Sequence, residues 1–187
     1  MTPLALDPAT TALVLIDLQQ GITSLPVTPR SGAEVVANAG RLLARGRERG
    51  LTVVLVQVGF LGDQDRLNLP VDTPAPGRPS RGGLLPELGP KEGDIVITKR
   101  QWGAFYGTEL DLQLRRRGIR TIVLGGIATN FGVESTARDA YERGYAQVFA
   151  EDAMSSVNAE GHRFTVSVVF PRIGRVRSTD EILAALA

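Results

Sequence analysis

The chain has no cysteine. Disulfides, thiolate metal sites and cysteine nucleophiles are therefore excluded at once. Histidine occurs once, at His162. A lone imidazole near a predicted helix start is more often a capping or packing residue than a ligand. No Asp-x-His cluster accompanies it, so no metal is expected. Lysine is nearly as scarce: of 21 basic residues, Lys91 and Lys99 are the lysines. A chain that uses arginine almost everywhere else keeps lysine where arginine will not do. Lysine is a compact charge that can also lose its proton, and arginine is neither. Lys91 falls in a polar loop. Lys99 ends a predicted strand and is the candidate of interest.

Long apolar runs are missing as well. No stretch approaches the length of a bilayer span. Met1 to Asp7 is too short for a leader and is broken by proline and aspartate. The expectation is a cytoplasmic protein with no membrane partner. The net charge is +1, which gives no reason to expect nucleic acid. Two arginine-rich patches exist, Arg41/Arg45/Arg47/Arg49 and Arg115/Arg116/Arg117/Arg120. Each sits toward the C-terminal end of a predicted helix, where cations complement the helix dipole. No aromatic residues are interleaved for base stacking.

What is present is ordinary for a globular chain: 187 residues, 43% hydrophobic and 22% charged. That length suits one α/β domain spanning 1–187. Thr11 to Asp17 reads as a buried strand ending in a carboxylate, and its unbroken apolar character suits a parallel sheet covered on both faces. Ser31-Gly32-Ala33-Glu34 is a capping box, opening a helix to Arg49 with Gly50 as its stop. Leu51–Val58 is a second strand. Residues 59–93 form a long Pro/Gly-rich loop, of the kind used for lids, binding loops or interfaces. Leu84 to Leu88 reads as a helical turn within it. A third strand, Asp94–Thr98, ends at Lys99, and an aromatic-rich loop follows. Thr108 caps a helix to about Arg117.

Residues 120–124 form the fourth strand and lead into Gly125 and Gly126. We expect a tight glycine turn here, then a polar turn with backbone N–H groups aimed outward, then a helix bearing Val133, Ala137, Ala140 and Tyr141 on its apolar face. A fifth strand, 146–150, comes next. Asn158 caps a helix through Phe170 that ends at Pro171. A short strand, 174–177, and a second capping box, Ser178 to Glu181, complete the chain.

This alternation predicts a doubly wound parallel sheet of about six strands in the order 3-2-1-4-5-6, with helices on both faces. Asp17, Lys99 and the Gly126 turn then converge at the carboxyl edge, where the strand order reverses and ligands bind. A carboxylate beside a lysine there is either a structural ion pair or an acid/base pair. The glycine spacing fits neither a dinucleotide fingerprint nor a P-loop. Ser24, Ser31 and Ser135 lack the elbow context of a serine nucleophile.

Three segments carry a resemblance: Val14 to Gln19, Ile97 to Arg100, and Gly126 to Ala140. Together they resemble the isochorismatase-like hydrolase superfamily, in particular a bacterial branch with Lys-Arg-Gln-Trp followed by Phe-Tyr-Gly-Thr-Glu-Leu. The likeness runs over nearly the whole chain. It implies a catalytic aspartate and lysine at Asp17 and Lys99, with Gly132 in the slot where most of the superfamily has its cysteine. It implies no cofactor. Loss of the cysteine removes thioester-forming amide hydrolysis. A glycine in that slot is similar to the true isochorismatases, which cleave a vinyl ether with the aspartate as general acid and no covalent step.

The resemblance also implies substrate contacts at Gln57 and Arg66, whose spacing matches the glutamine and arginine that hold the substrate in isochorismatases. Arginine suits a carboxylate. Ala128 stands where those enzymes have a tyrosine. A cis peptide is expected at Ile127–Ala128. Trp102, Phe105 and Phe131 are either pocket walls or core and interface residues. Asn130 either holds the turn or orients the substrate. The function expected is hydrolysis of a small carboxylated molecule. The alternative is a binding or scaffold protein that has lost its nucleophile. The Pro/Gly loop and the aromatic residues further suggest a homo-oligomer, a dimer or tetramer.

Overall fold

The fold is described from a computed structural model, for residues 4–60, 70–73 and 82–186. Strand β1 (Thr11–Ile16) is buried at all six positions. A short helix, α1 (Gln20–Thr23), and then α2 (Gly32–Glu48) lead to β2 (Thr52–Val58). After a 3-10 turn at Pro86–Leu88 come β3 (Ile95–Lys99), α3 (Leu110–Arg116), β4 (Thr121–Ile127) and α4 (Glu134–Glu142). The chain finishes with β5 (Ala146–Ser155), α5 (Ala159–Phe164), α6 (Phe170–Ile173), β6 (Arg175–Arg177) and α7 (Thr179–Ala185). The sheet order is β3-β2-β1-β4-β5-β6, parallel throughout, as the strand and helix alternation predicts.

Strand periodicity divides the core in two. Leu13, Leu15, Val53, Leu55 and Val123 face α2 and α7. Val14, Ile16, Val54, Val56, Ile97 and Leu124 face Leu110 and Leu114 of α3, and Ala137 and Ala140 of α4. Each large side chain so buried contributes about 1.5–3 kcal/mol. The α2 capping box forms in both directions between Ser31 and Glu34, and Gly50 takes φ +74 just past the helix end. The second box forms between Ser178 and Glu181. Several arginines of the basic patches are engaged in ion pairs, Arg41 with Asp180 and Arg47 with Asp94 among them.

Five local expectations need correction. The glycines after Leu124 do not turn the chain; β4 continues through them to Ile127. Gly125 pairs with Leu15 and Gly126 with Ile16, and a Cβ on Gly126 would stand 2.1 Å from the Ile16 carbonyl oxygen. Glycine is there for close backbone approach inside a strand. Strand β5 also runs past Ala150, to Ser155, with a shift in register against β4.

The helix at Asn158 does not end at Pro171. A π-turn at Thr165–Val169 widens the run, and Pro171 sits in the first turn of α6, where a missing N–H leaves no helical bond unmade. Thr108 lies one residue outside the α3 cap position, held by Glu109, although its hydroxyl still accepts from the Leu110 N–H. On α4, Tyr141 is half exposed and leaves the apolar face to its neighbours.

Candidate active site

Asp17 follows β1 with a backbone φ of +56, in the left-handed region that non-glycine residues seldom enter. Its N–H donates to the Val56 carbonyl, which ties it to the end of β2. Lys99, the last residue of β3, reaches across β2 to place its Nζ 2.7 Å from Asp17 Oδ2. The same ammonium donates to the carbonyls of Gln101 at 3.1 Å and Trp102 at 2.9 Å. Both side chains are buried. Three acceptors match the three protons of an ammonium, so the charge is compensated in a place where a bare cation would be costly. So held, Lys99 faces the Asp17 carboxylate and two backbone carbonyls at once.

The third corner comes from the segment after β4. The Ile127–Ala128 peptide is cis. A π-turn, Thr129–Val133, then leads into α4. Gly132 lies in that turn and is buried. A Cβ on it would stand 3.3 Å from Asp17 Oδ2, 3.4 Å from Lys99 Nζ and 3.2 Å from Ile16 Cγ2. The glycine backbone therefore rests directly against the ion pair. Its carbonyl accepts from the Thr136 hydroxyl at 2.7 Å, and that hydroxyl accepts from the Ala104 N–H, which ties the turn to the aromatic loop. The turn offers fewer amides than the sequence suggests, because the N–H groups of Phe131 and Val133 both donate to the Ala128 carbonyl.

The substrate-contact candidates divide. Trp102 and Phe131 meet edge to face with centroids 4.9 Å apart, and Trp102 is largely exposed. Among the described residues, Phe105 sits in the core. It is buried, stacks on Tyr145 and lies under the Arg143 guanidinium, so its pocket role gives way to a core role. Gln57 donates across the sheet to the Thr98 hydroxyl at 3.1 Å. Arg66 lies outside the described residues. Half-buried Ala128 packs on the α2 side of the core. Asn130 accepts from the Ser156 hydroxyl, which joins the turn to the end of β5. It also borders an open cleft with Phe131, Glu134 and residues of α5.

Sequence reasoning passes over three features. Gln19, buried, donates to the Val58 and Gly82 carbonyls and accepts from the Val58 N–H. His162 Nδ1 meets the Thr129 hydroxyl at 2.8 Å, with both residues buried beneath the turn. Burial lowers the proton affinity of that imidazole, and the Arg30 charge adds to the effect. Arg30 itself pairs with Glu151 at 3.1 Å, and its backbone exchanges bonds with the Ser155 hydroxyl. Each contact joins residues remote in sequence, so no local signal announces it. The one available hint is a glutamine two residues beyond a strand-end aspartate. Among the described residues, no three His, Cys, Asp or Glu side chains gather as a metal site would require.

This geometry has relatives. Residues 11–181 match the isochorismatase domain. The chain is 53% identical over 192 residues to the isochorismatase family protein YecD of Escherichia coli O157:H7, covering 98% of this chain and 100% of that one. It is 32% identical to the ureidoacrylate amidohydrolase RutB of Variovorax paradoxus (strain S110), over 99% of this chain and 84% of the other. Among solved structures, an isochorismatase family protein from Burkholderia thailandensis superposes with a TM-score of 0.92 at 46% identity, covering 99% of each chain.

Proposed function

The chain belongs to the isochorismatase family, whose members are hydrolases, and on that premise we propose that it hydrolyses a small carboxylated molecule without a covalent nucleophile, using Asp17 as general acid. The observation that carries this reading is the place of Gly132. The position beside the acid and the lysine, 3.3 and 3.4 Å from where a Cβ would stand, holds no side chain. RutB, an amidohydrolase by name, is a relative at 32% identity. A chain without cysteine cannot use a thiolate on an amide. What remains is proton chemistry.

An enol ether suits that chemistry. Asp17 gives its proton to the terminal alkene carbon, and a C–H bond forms as positive charge develops at the ether carbon. Water adds to that carbon. The resulting hemiketal breaks its bond to the leaving oxygen, giving a ketone and an alcohol. Of the two protons from water, one returns to the Asp17 carboxylate and the other goes to the leaving oxygen. Lys99 steadies the carboxylate each time it forms. A carboxylated substrate competes for the Lys99 charge as it enters, and so favours the protonated acid. The Trp102 and Phe131 pair supplies apolar surface beside the reacting carbon.

The test is a panel of enol-ether carboxylates, isochorismate included, followed by keto-acid release. Wild-type protein turns over at least one, and Asp17→Asn lowers that turnover by roughly 10²–10⁴-fold with folding intact. Full activity in Asp17→Asn rejects the acid assignment. Binding without turnover across the panel favours the alternative, a small-molecule-binding member of the family. Gly132→Cys then reports on the site itself, because new amidase activity would reveal an otherwise complete amidase centre.

A further inference from the structure

Gln19 has no place in the chemistry above, yet both of its amide protons and its amide oxygen are bonded. One amide proton goes to the Val58 carbonyl at 3.1 Å and the other to the Gly82 carbonyl at 2.8 Å. Its oxygen accepts from the Val58 N–H at 2.8 Å. The side chain is 1% exposed. The main chain around it is pinned as well. The Gln19 N–H donates to the Asp17 carbonyl, and the Leu85 N–H to the Leu18 carbonyl, so residues 17–20 run antiparallel to 82–85.

Asp17 lies two residues upstream, in a left-handed backbone that an aspartate leaves readily unless both flanks hold it. On its N-terminal side, β1 provides the hold. On its C-terminal side the hold comes from Gln19, fastened both to the end of β2 and to the segment returning from the long loop. We propose that Gln19 is a positioning residue, which fixes the left-handed backbone of Asp17 and thereby aims its carboxylate at Lys99 and Gly132. The geometric part stands on the bonds just given. The catalytic consequence rests on the reading of Asp17 as general acid.

The lysine content makes this testable without a substrate. Of the two lysines, Lys91 is exposed and its ammonium exchanges freely with solvent, so in protein labelled with 15N-lysine the ammonium signal that survives belongs to Lys99, and its persistence in Lys91→Arg confirms the assignment. Buried and triply bonded, the Lys99 ammonium is shielded from exchange in the wild type. In Gln19→Met, which keeps the length and removes the bonds, that signal is lost to solvent exchange. At the same time kcat falls by about 10²-fold, while KM changes little.

A folded Gln19→Met with its Lys99 signal intact overturns the proposal, whatever happens to kcat. If Gln19→Met does not fold, Gln19→Asn, which withdraws the amide by one methylene, gives the same readout: loss of the signal supports the proposal, and persistence overturns it. If wild-type protein turns over nothing, the functional reading fails while the Lys99 signal still decides the role of Gln19.

Discussion

An ion pair stands at each end of strand β3, the lower one at the residue just before it. At the lower end Asp94 meets Arg47 at 2.5 Å; at the upper end Lys99 meets Asp17 at 2.7 Å. Both pairs are removed from water, with side chains 19% and 5% exposed below and 2% and 8% above. By distance and burial the two differ little. Their surroundings differ a great deal. Below, Asp94 also accepts from the Lys91 N–H, and Arg47 also donates to the Gly89 carbonyl, so the pair fastens α2 to the loop before β3. Above, the carboxylate sits on a left-handed backbone, the cation is a compact ammonium with two carbonyl partners, and a glycine lies against both. A buried ion pair is therefore weak evidence of function by itself. An unusual backbone and an absent side chain beside it are what separate the two ends.

Exchanging the carboxylates separates them most. Asp17→Asn should lower turnover by roughly 10²–10⁴-fold, the contribution typical of a positioned acid. Asp94→Asn should leave kcat unchanged and lower stability by about 1–3 kcal/mol, read in urea denaturation. A matching loss of kcat in Asp94→Asn would break the comparison.

Exchanging the cations comes next. Lys99→Arg should cost at least about tenfold in turnover, because a planar fork cannot serve three acceptors arranged around a point charge. Arg47→Lys should cost about 1 kcal/mol of stability and nothing in kcat.

The smallest effect is one of pH. His162 lies under the upper turn through Thr129, and its proton affinity is lowered by burial first and by Arg30 second. The unfolded chain therefore takes up this proton first, below about pH 6.5. Stability from this source is complete above that value and is lost as the pH falls through the lower folded-state value. Between about pH 8 and pH 5, urea midpoints should decline for the wild type and decline less for His162→Gln. Hydrogen exchange should show the upper end loosening first, since the lower end has no histidine.

The division between local and long-range information is visible residue by residue. Strand order follows from alternation, and both capping boxes form where Ser-x-x-Glu stands. The carboxyl edge that gathers Asp17, Lys99 and the segment after β4 also follows, because parallel strands with right-handed crossovers put their ends on one side. The absence of a thiol is a fact of composition. Such features depend on neighbours within a few positions, or on the order of elements along the chain.

Other features depend on which segments meet. Gly125 and Gly126 read as a turn until β1 is beside them, when the need for close approach keeps them in the strand. Pro171 reads as a stop until the π-turn before it makes room. Phe105 reads equally as wall or core until Tyr145 and Arg143 enclose it. The grip of Gln19 on Val58 and Gly82, and that of His162 on Thr129, join residues 39, 63 and 33 positions apart. The sequence alone determined the scaffold and which residues, Asp17, Lys99 and Gly132, gather at its carboxyl edge. Tertiary structure alone decided how they are held, because a hydrogen bond between distant segments leaves no periodicity in either of them.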